Sequence, residues 1–242
     1  MAEWTAKRFW KEASVVEAND GFTVLLDGRK LRTPVKSELI VPTRELAEAI
    51  AVEWDAQGEK VDPLTMPVTR SANAAIDKVA PMHAEVSELV AAYGGTDLLC
   101  YRAEFPRELV ERQKTAWDPL LNWAADALEA PLKTGIGIVH VEQDADVLAE
   151  LAKRVAKMDA FRLAAFHDLV GMSGSLIIGF AITHKLLSVA DLWRRSRIDE
   201  DWQIEKWGED DEEVSNSAGK KAGFEHAARF YFMANQASLT LI

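Results

Sequence analysis

The sequence predicts an α+β fold, with a small antiparallel β domain at the N-terminus followed by a larger α-helical domain. Two observations carry that prediction. Residues 13 to 42 hold short apolar-rich runs separated by turn residues, with no helical period between them. From Thr43 onward the apolar spacing changes to three and four, and the chain reads as mostly helical. The change of period puts the β-rich domain at residues 1–62 and the helical domain at 63–242.

In the first part, "FTVLLDGRKLRTP" places two apolar arms around Asp27-Gly28. That pair is a strong two-residue hairpin signal, because glycine accepts the positive φ such turns require. Val24, Leu26 and Leu31 face inward. "ELIVP" is expected to add a further short strand, closed by Pro42, which has no N–H to give to a ladder. Thr43 is placed to cap the helix "RELAEAIAVEWDAQ", with Glu45 in its first turn and Gly58 as its C-terminal cap. Leu46, Ile50 and Trp54 share one face of that helix. Pro63 and Pro67 are expected to hold an extended connector, since each disfavours helix in the residue before it.

Beyond the connector the pattern predicts helices over 71–79, 82–93, 106–129, 145–158, 161–187, 189–195, 202–207 and 224–235. Pro119 is expected to kink or split the longest of them. "GIGIVHV" alternates and reads as a lone strand or an extended loop.

A net charge of −11 argues against a nucleic-acid backbone or an anionic membrane surface as partner. One cysteine, Cys100, allows no internal disulfide. The first residues lack an apolar signal core, and the longest apolar run, Leu176 to Ile182, is far short of a membrane span. A cytoplasmic protein is the expectation.

Chemistry-bearing patterns are sparse. Among the five histidines, His83, His140, His167, His184 and His226, no two have the close helical spacing of metal ligands. Cys100 reads as a small buried apolar residue. "GMSGSLIIG" lacks the Lys-Ser/Thr ending of a phosphate loop, and its glycines suit close helix approach better. No cofactor, metal or small-molecule substrate is expected. The charge is concentrated: Asp199 to Glu213 holds nine acids and one base, Lys206. Trp202 and Trp207 lie inside that run. An apolar anchor rimmed by acids suits a basic, partly apolar protein partner. The acids near Asp199 to Glu205 also leave open a small hydrolase or transferase, or a scaffold that joins two other proteins.

"KRFWKEASVV", "FTVLLDGRKLRTP", "LIVPTRELAEAIAVEWDAQGEKVDPLTMPVTR", "TDLLCYR", "WDPLLNWA" and "DEDWQIEKWGED" resemble, in order and spacing, the assembly chaperone of F-type ATP synthase that handles the alpha subunit of the catalytic head. The match is to the bacterial form and runs from about Lys7 to the final helix. The resemblance implies a helical domain peculiar to the family and a protein that is not an enzyme. Such a protein binds new alpha subunit, covers the apolar surface that later packs on beta, and releases it when beta arrives. It implies a partner-binding set of Glu200, Asp201, Trp202, Gln203, Glu205, Trp207 and Asp210. Asp201 stands where a second Glu is common, and Trp202 where Tyr is common. "EWDAQGEKVDPLTMP" then reads as a hinge and brace made by Trp54, Asp55, Pro63, Met66 and Pro67.

Overall fold

A computed structural model of the chain describes residues 7–208 and 211–235, with 211–216 described for their backbone alone. It is an α+β protein, with a small N-terminal antiparallel sheet and ten α-helices among the described residues. The chain forms two compact units. Among the described residues, one holds 7–82, 159–165 and 229–235; the other holds 83–158, 166–208 and 211–228.

In the first unit, β1 (Ala13–Ala18), β2 (Gly21–Leu26) and β3 (Arg29–Lys30) form an antiparallel sheet in that order. The turn between β2 and β3 has positive φ at both Asp27 (47°) and Gly28 (80°), as the sequence pair requires. Gly21 is needed for a different reason: a Cβ there would stand 2.3 Å from the Val41 carbonyl oxygen. That close approach lets Phe22 and Val41 exchange backbone hydrogen bonds of 2.9 and 2.8 Å. "ELIVP" therefore adds isolated bridges, Phe22 to Val41 and Arg32 to Glu38, rather than the expected strand.

Helix α1 (Arg44–Asp55) lays Leu46, Ala47, Ile50 and Ala51 on the sheet. Thr43 caps it as expected, accepting from Leu46 N, and its hydroxyl also donates to Met233 O at 2.5 Å. The C-terminal end differs from expectation, because Gly58 does not cap it. The chain leaves α1 through right-handed Ala56, and the buried Gln57 side chain takes the Glu53 carbonyl at 3.0 Å. The same Gln57 amide bonds Thr65 Oγ1 and Asp62 N, which fixes the connector. That connector is not extended. Pro63 opens a 3-10 turn, Pro63–Thr65, and Pro67 opens α2 (Pro67–Ala74). A proline at the first helical position loses no hydrogen bond and arrives with its φ already set. Helix α2 has no capping side chain of its own. The Glu53 carboxylate serves instead, accepting from Val68 N and Thr69 N at 2.7 Å each. One π-helical turn, Ala75–Val79, follows.

The second unit holds α3 (His83–Ala91), α4 (Arg107–Leu128), α5 (Ala145–Ala156), α7 (Leu176–Thr183), α8 (Val189–Ser196) and α9 (Ile198–Trp207). Helices α6 (Ala160–Ser173) and α10 (Asp211–Met233) contribute residues to both units. Two-residue strands β4 (Tyr101–Arg102) and β5 (Gly135–Ile136) pair in parallel, so "GIGIVHV" is only briefly a strand. Of the kink or split expected at Pro119, the split does not occur, since α4 continues through that residue. Trp117 on α4 is fully buried, and its indole donates to Arg195 O at 2.8 Å.

The expected single helix 161–187 is two helices. Gly174, at φ 69°, ends α6, and Ser175 caps α7. Behind that break lies Asp97, completely buried. Its carboxylate accepts from Leu99 N, Ser175 Oγ and Ile177 N at 2.8–3.0 Å. Burial outweighs those donors and pushes its pKa up to about 6 from 3.8. Gly179, by contrast, does serve close helix approach: a Cβ would fall 2.8 Å from Val170 and 2.9 Å from Phe166, both on α6. Cys100 is buried as expected, and its thiol is pushed up to about 12.

Two stability outcomes follow from this packing. Gly179→Ala should cost about 1–3 kcal/mol by overpacking, whereas Gly171→Ala, which meets nothing within 4 Å, should cost nothing in the same urea melts. The Asp97 carboxyl holds its proton to higher pH in the folded chain than in the unfolded one. Its contribution to stability is therefore full below about 3.8 and lost as pH rises through about 6. Urea midpoints of the wild type, relative to Asp97→Asn, should rise as pH falls from 7 to 4.

Candidate functional site

Helix α9 carries the acidic block. Its first turn holds Asp199, Glu200 and Asp201, where carboxylates are favoured by the helix dipole, and Lys206 sits in the last turn. The helix has no capping side chain at its start, and Gly208 ends it at φ 90°. Ile198 and Trp202, four apart, are its buried residues and turn toward the unit's interior.

Helix α4 supplies the groups that hold α9. The Arg112 guanidinium grips the Glu205 carboxylate with two bonds, 2.7 and 2.9 Å. This bond holds the Glu205 carboxyl below its ordinary range and raises the Arg112 pKa. Arg112 also lies over the Trp202 ring at 5.0 Å, and Lys206 approaches the same ring at 4.5 Å. Gln113, 2% exposed, donates to Asp199 Oδ1 at 2.6 Å and accepts from Ala103 N at 2.8 Å. Glu200 pairs with Arg197 at 2.8 Å. Three of the four acids on α9 thus have a partner. Asp201 makes no side-chain hydrogen bond or ion pair among the described residues. Partial desolvation raises its pKa, as it does that of Glu200.

The residues expected to bind a partner fall into distinct environments. Trp202 is buried, at 6% exposure, and belongs to the seat of α9. Trp207 is 78% exposed. Gln203, Asp201 and Glu205 are on the outer surface, and Glu200 is half-buried. Asp210 lies outside the described residues. Trp54, Asp55, Pro63, Met66 and Pro67 all belong to the other unit. There the Trp54 ring packs tilted against buried Trp10, centroids 5.0 Å apart, Asp55 Oδ1 accepts from Ala13 N, and Met66 is buried.

An open groove of ≈ 560 Å³ runs beside this site between α4 and α8. Glu108, Glu111, Arg112, Arg194 and Arg195 are among its lining. The acids from Asp199 to Glu205 do not line it. Its cations are engaged: Arg194 pairs with Asp191, and Arg195 donates to Ala116 O. Among the described residues, no group of three or more His, Cys, Asp or Glu side chains is arranged to hold a metal ion, and no helix is long and apolar enough to cross a membrane.

Periodicity did not reveal the large apolar side chains left in water. Phe105, Ile136, Ile138 and Val139 are 76, 67, 98 and 76% exposed. The one available signal was the uncharged alternation in "GIGIVHV" with no second apolar segment to cover it.

Residues 7–125 match the family ATP12 chaperone protein. Atp12 from Paracoccus denitrificans is 46% identical, and the match covers 95% of this chain and 99% of that one, with a TM-score of 0.93. A mutant of the same Paracoccus protein matches with the same identity and score. The mitochondrial protein atp12 of Schizosaccharomyces pombe is 28% identical over 231 residues, 87% of this chain and 77% of that protein. Trp202→Ala should lower stability by about 3 kcal/mol or more, while Trp207→Ala should stay within about 0.5 kcal/mol of wild type, both read from urea melts.

Proposed function

This chain belongs to the ATP12 chaperone family, which serves assembly of ATP synthase, and we propose that it acts by binding the free alpha subunit and shielding its beta-facing surface until beta replaces it. The observation that carries this reading is α9, an acid-rich helix with an exposed Trp207, seated firmly enough to keep its outer face in one geometry. Assembly chaperones are not an enzyme class, and the action needs no bond made or broken.

A lone subunit exposes an apolar face meant for its neighbour, and such faces aggregate. Without a fuel, a chaperone acts only by mass action, lowering the free concentration of the sticky species. Affinity has to be moderate so that beta can displace it. The acids of α9 keep the complex soluble and speed encounter with a client bearing basic groups. Glu200, Asp201, Gln203, Glu205, Trp207 and Asp210 form the contact, and Trp202 holds α9 in place beneath it. Trp54, Asp55, Pro63, Met66 and Pro67 act as hinge and brace. Proline and the buried Gln57 amide limit the freedom of that segment before binding, which keeps the cost of ordering low. The sole thiol, buried Cys100, suits a reducing compartment, and the cytoplasm is the proposed site of action.

The test is light scattering of alpha subunit as it refolds. Wild-type protein should suppress scattering, and added beta subunit should relieve it of its client. Charge reversal at Asp201 and Glu205 should weaken suppression by about tenfold in the concentration required. Unchanged suppression would remove α9 from the contact.

A further inference from the structure

The loop that follows α4 is built to hold large apolar side chains in water. At its base, Gln143 clasps the Lys133 backbone from both sides, donating to Lys133 O at 2.9 Å and accepting from Lys133 N at 2.8 Å. Lys133 and Asp144 close the same base with an ion pair at 2.5 Å. Above it, β5 pairs with β4, and Gly137 N donates to Arg102 O at 2.8 Å. Gly135 has no room for a Cβ, which would meet Val141 at 2.4 Å, so the two arms of the loop lie in contact. Gly137 turns the chain at φ 76°. Ile138 and Val139 form the tip. Phe105 is three residues from Arg102 and so stands within about 11 Å of it.

We infer that this stapled loop is an apolar finger that seats in an uncharged apolar surface of the unassembled subunit. The inference rests on the reading of the chain as a chaperone of free alpha subunit. Gly135 to Val139 carry no charge; of the charged groups near them, Arg102 pairs with Asp118 at 2.8 Å and Lys133 with Asp144, while exposed Glu142 lies three residues beyond the tip. Glu104 and Arg107, on either side of Phe105, cancel. The tip itself therefore matches an apolar surface, with the charges confined to its border. The buried Gln113 amide joins Ala103, beside this face, to Asp199 on α9. The segment that β5 pairs with and the acidic helix are thus tied to the same buried side chain, and the client is met by an uncharged apolar contact and an acidic one together. The four apolar side chains offer on the order of 400 Å², about half of the 800 Å² per partner of a stable interface. That is too little to join two copies of this chain. It suits one part of a two-part contact that beta must be able to displace. Because the loop is already fixed, little conformational entropy is lost when the tip is covered.

The decisive experiment compares the full chain with Ile138→Asp/Val139→Asp in suppressing aggregation of refolding alpha subunit. The exposed positions predict an unchanged urea midpoint. The variant should need about tenfold more protein for half-suppression, and Ile138→Leu/Val139→Leu should match wild type. Ile138→Ser/Val139→Ser repeats the test without added charge and should show the same loss. Wild-type suppression with equal suppression by the Asp and Ser variants overturns the finger and leaves the chaperone reading intact. Wild-type protein that fails to suppress overturns both. Sedimentation should find wild type monomeric; a dimer that Ile138→Asp dissociates would assign the tip to self-association and overturn the inference.

Discussion

Helix α9 carries more negative charge than it can hold in place by itself. Its position depends on burial of Trp202 against α4, with Arg112 on the ring and on Glu205 together. An exposed ion pair contributes little on its own, because water competes for both partners and salt screens them. The buried indole supplies the adhesion, and the guanidinium sets the angle. Gln113 then extends the register to the segment before α4, since its amide has one donor on Asp199 and its acceptor on Ala103. A buried amide left half-satisfied is costly, so Gln113 ties these two segments together.

The same economy runs through the interior. Asp97 gives up hydration to hold the start of α7, and Ser175 and two backbone N–H groups replace the lost water. Gly179 lets α7 close on α6 without a side chain between them. In the other unit, Glu53 caps a helix that its own sequence leaves uncapped, and Gln57 fixes the connector before it. Asp97, Glu53 and Gln57 each use a buried or half-buried polar side chain to fix a helix end or the turn beside it. Rigid helix ends matter for the surface presentation proposed above, because disorder in that surface is lost as entropy on binding.

On the proposed mass-action mechanism, the chaperone also has to avoid binding too well. An acidic face gives speed and solubility more than tight affinity. Apolar anchors give adhesion, and their area limits its strength. The division between charged α9 and the uncharged loop tip matches that pair of requirements.

Local chemistry made much of this fold legible in advance. The Asp27-Gly28 turn, the Thr43 cap and the helical period from there onward depend on neighbours within four residues, and a sequence displays those neighbours. The α9 acids were legible as a block for the same reason. What the sequence left open depended on partners far along the chain. Trp202 and Trp207 are the same residue type five apart, yet one is buried and the other stands in water, because only Trp202 faces α4. Gly174 and Gly179 look alike in "GMSGSLIIG", but the first breaks a helix and the second packs one. Pro63 and Pro67 start helical turns because Asp62 and Glu53 supply acceptors for the free N–H groups, and Glu53 lies more than a dozen residues from the bonds it makes. Turns, caps and periods are short-range and were set by the sequence itself. Burial, charge pairing and exposure are sums over distant contacts, and the tertiary structure alone decided them.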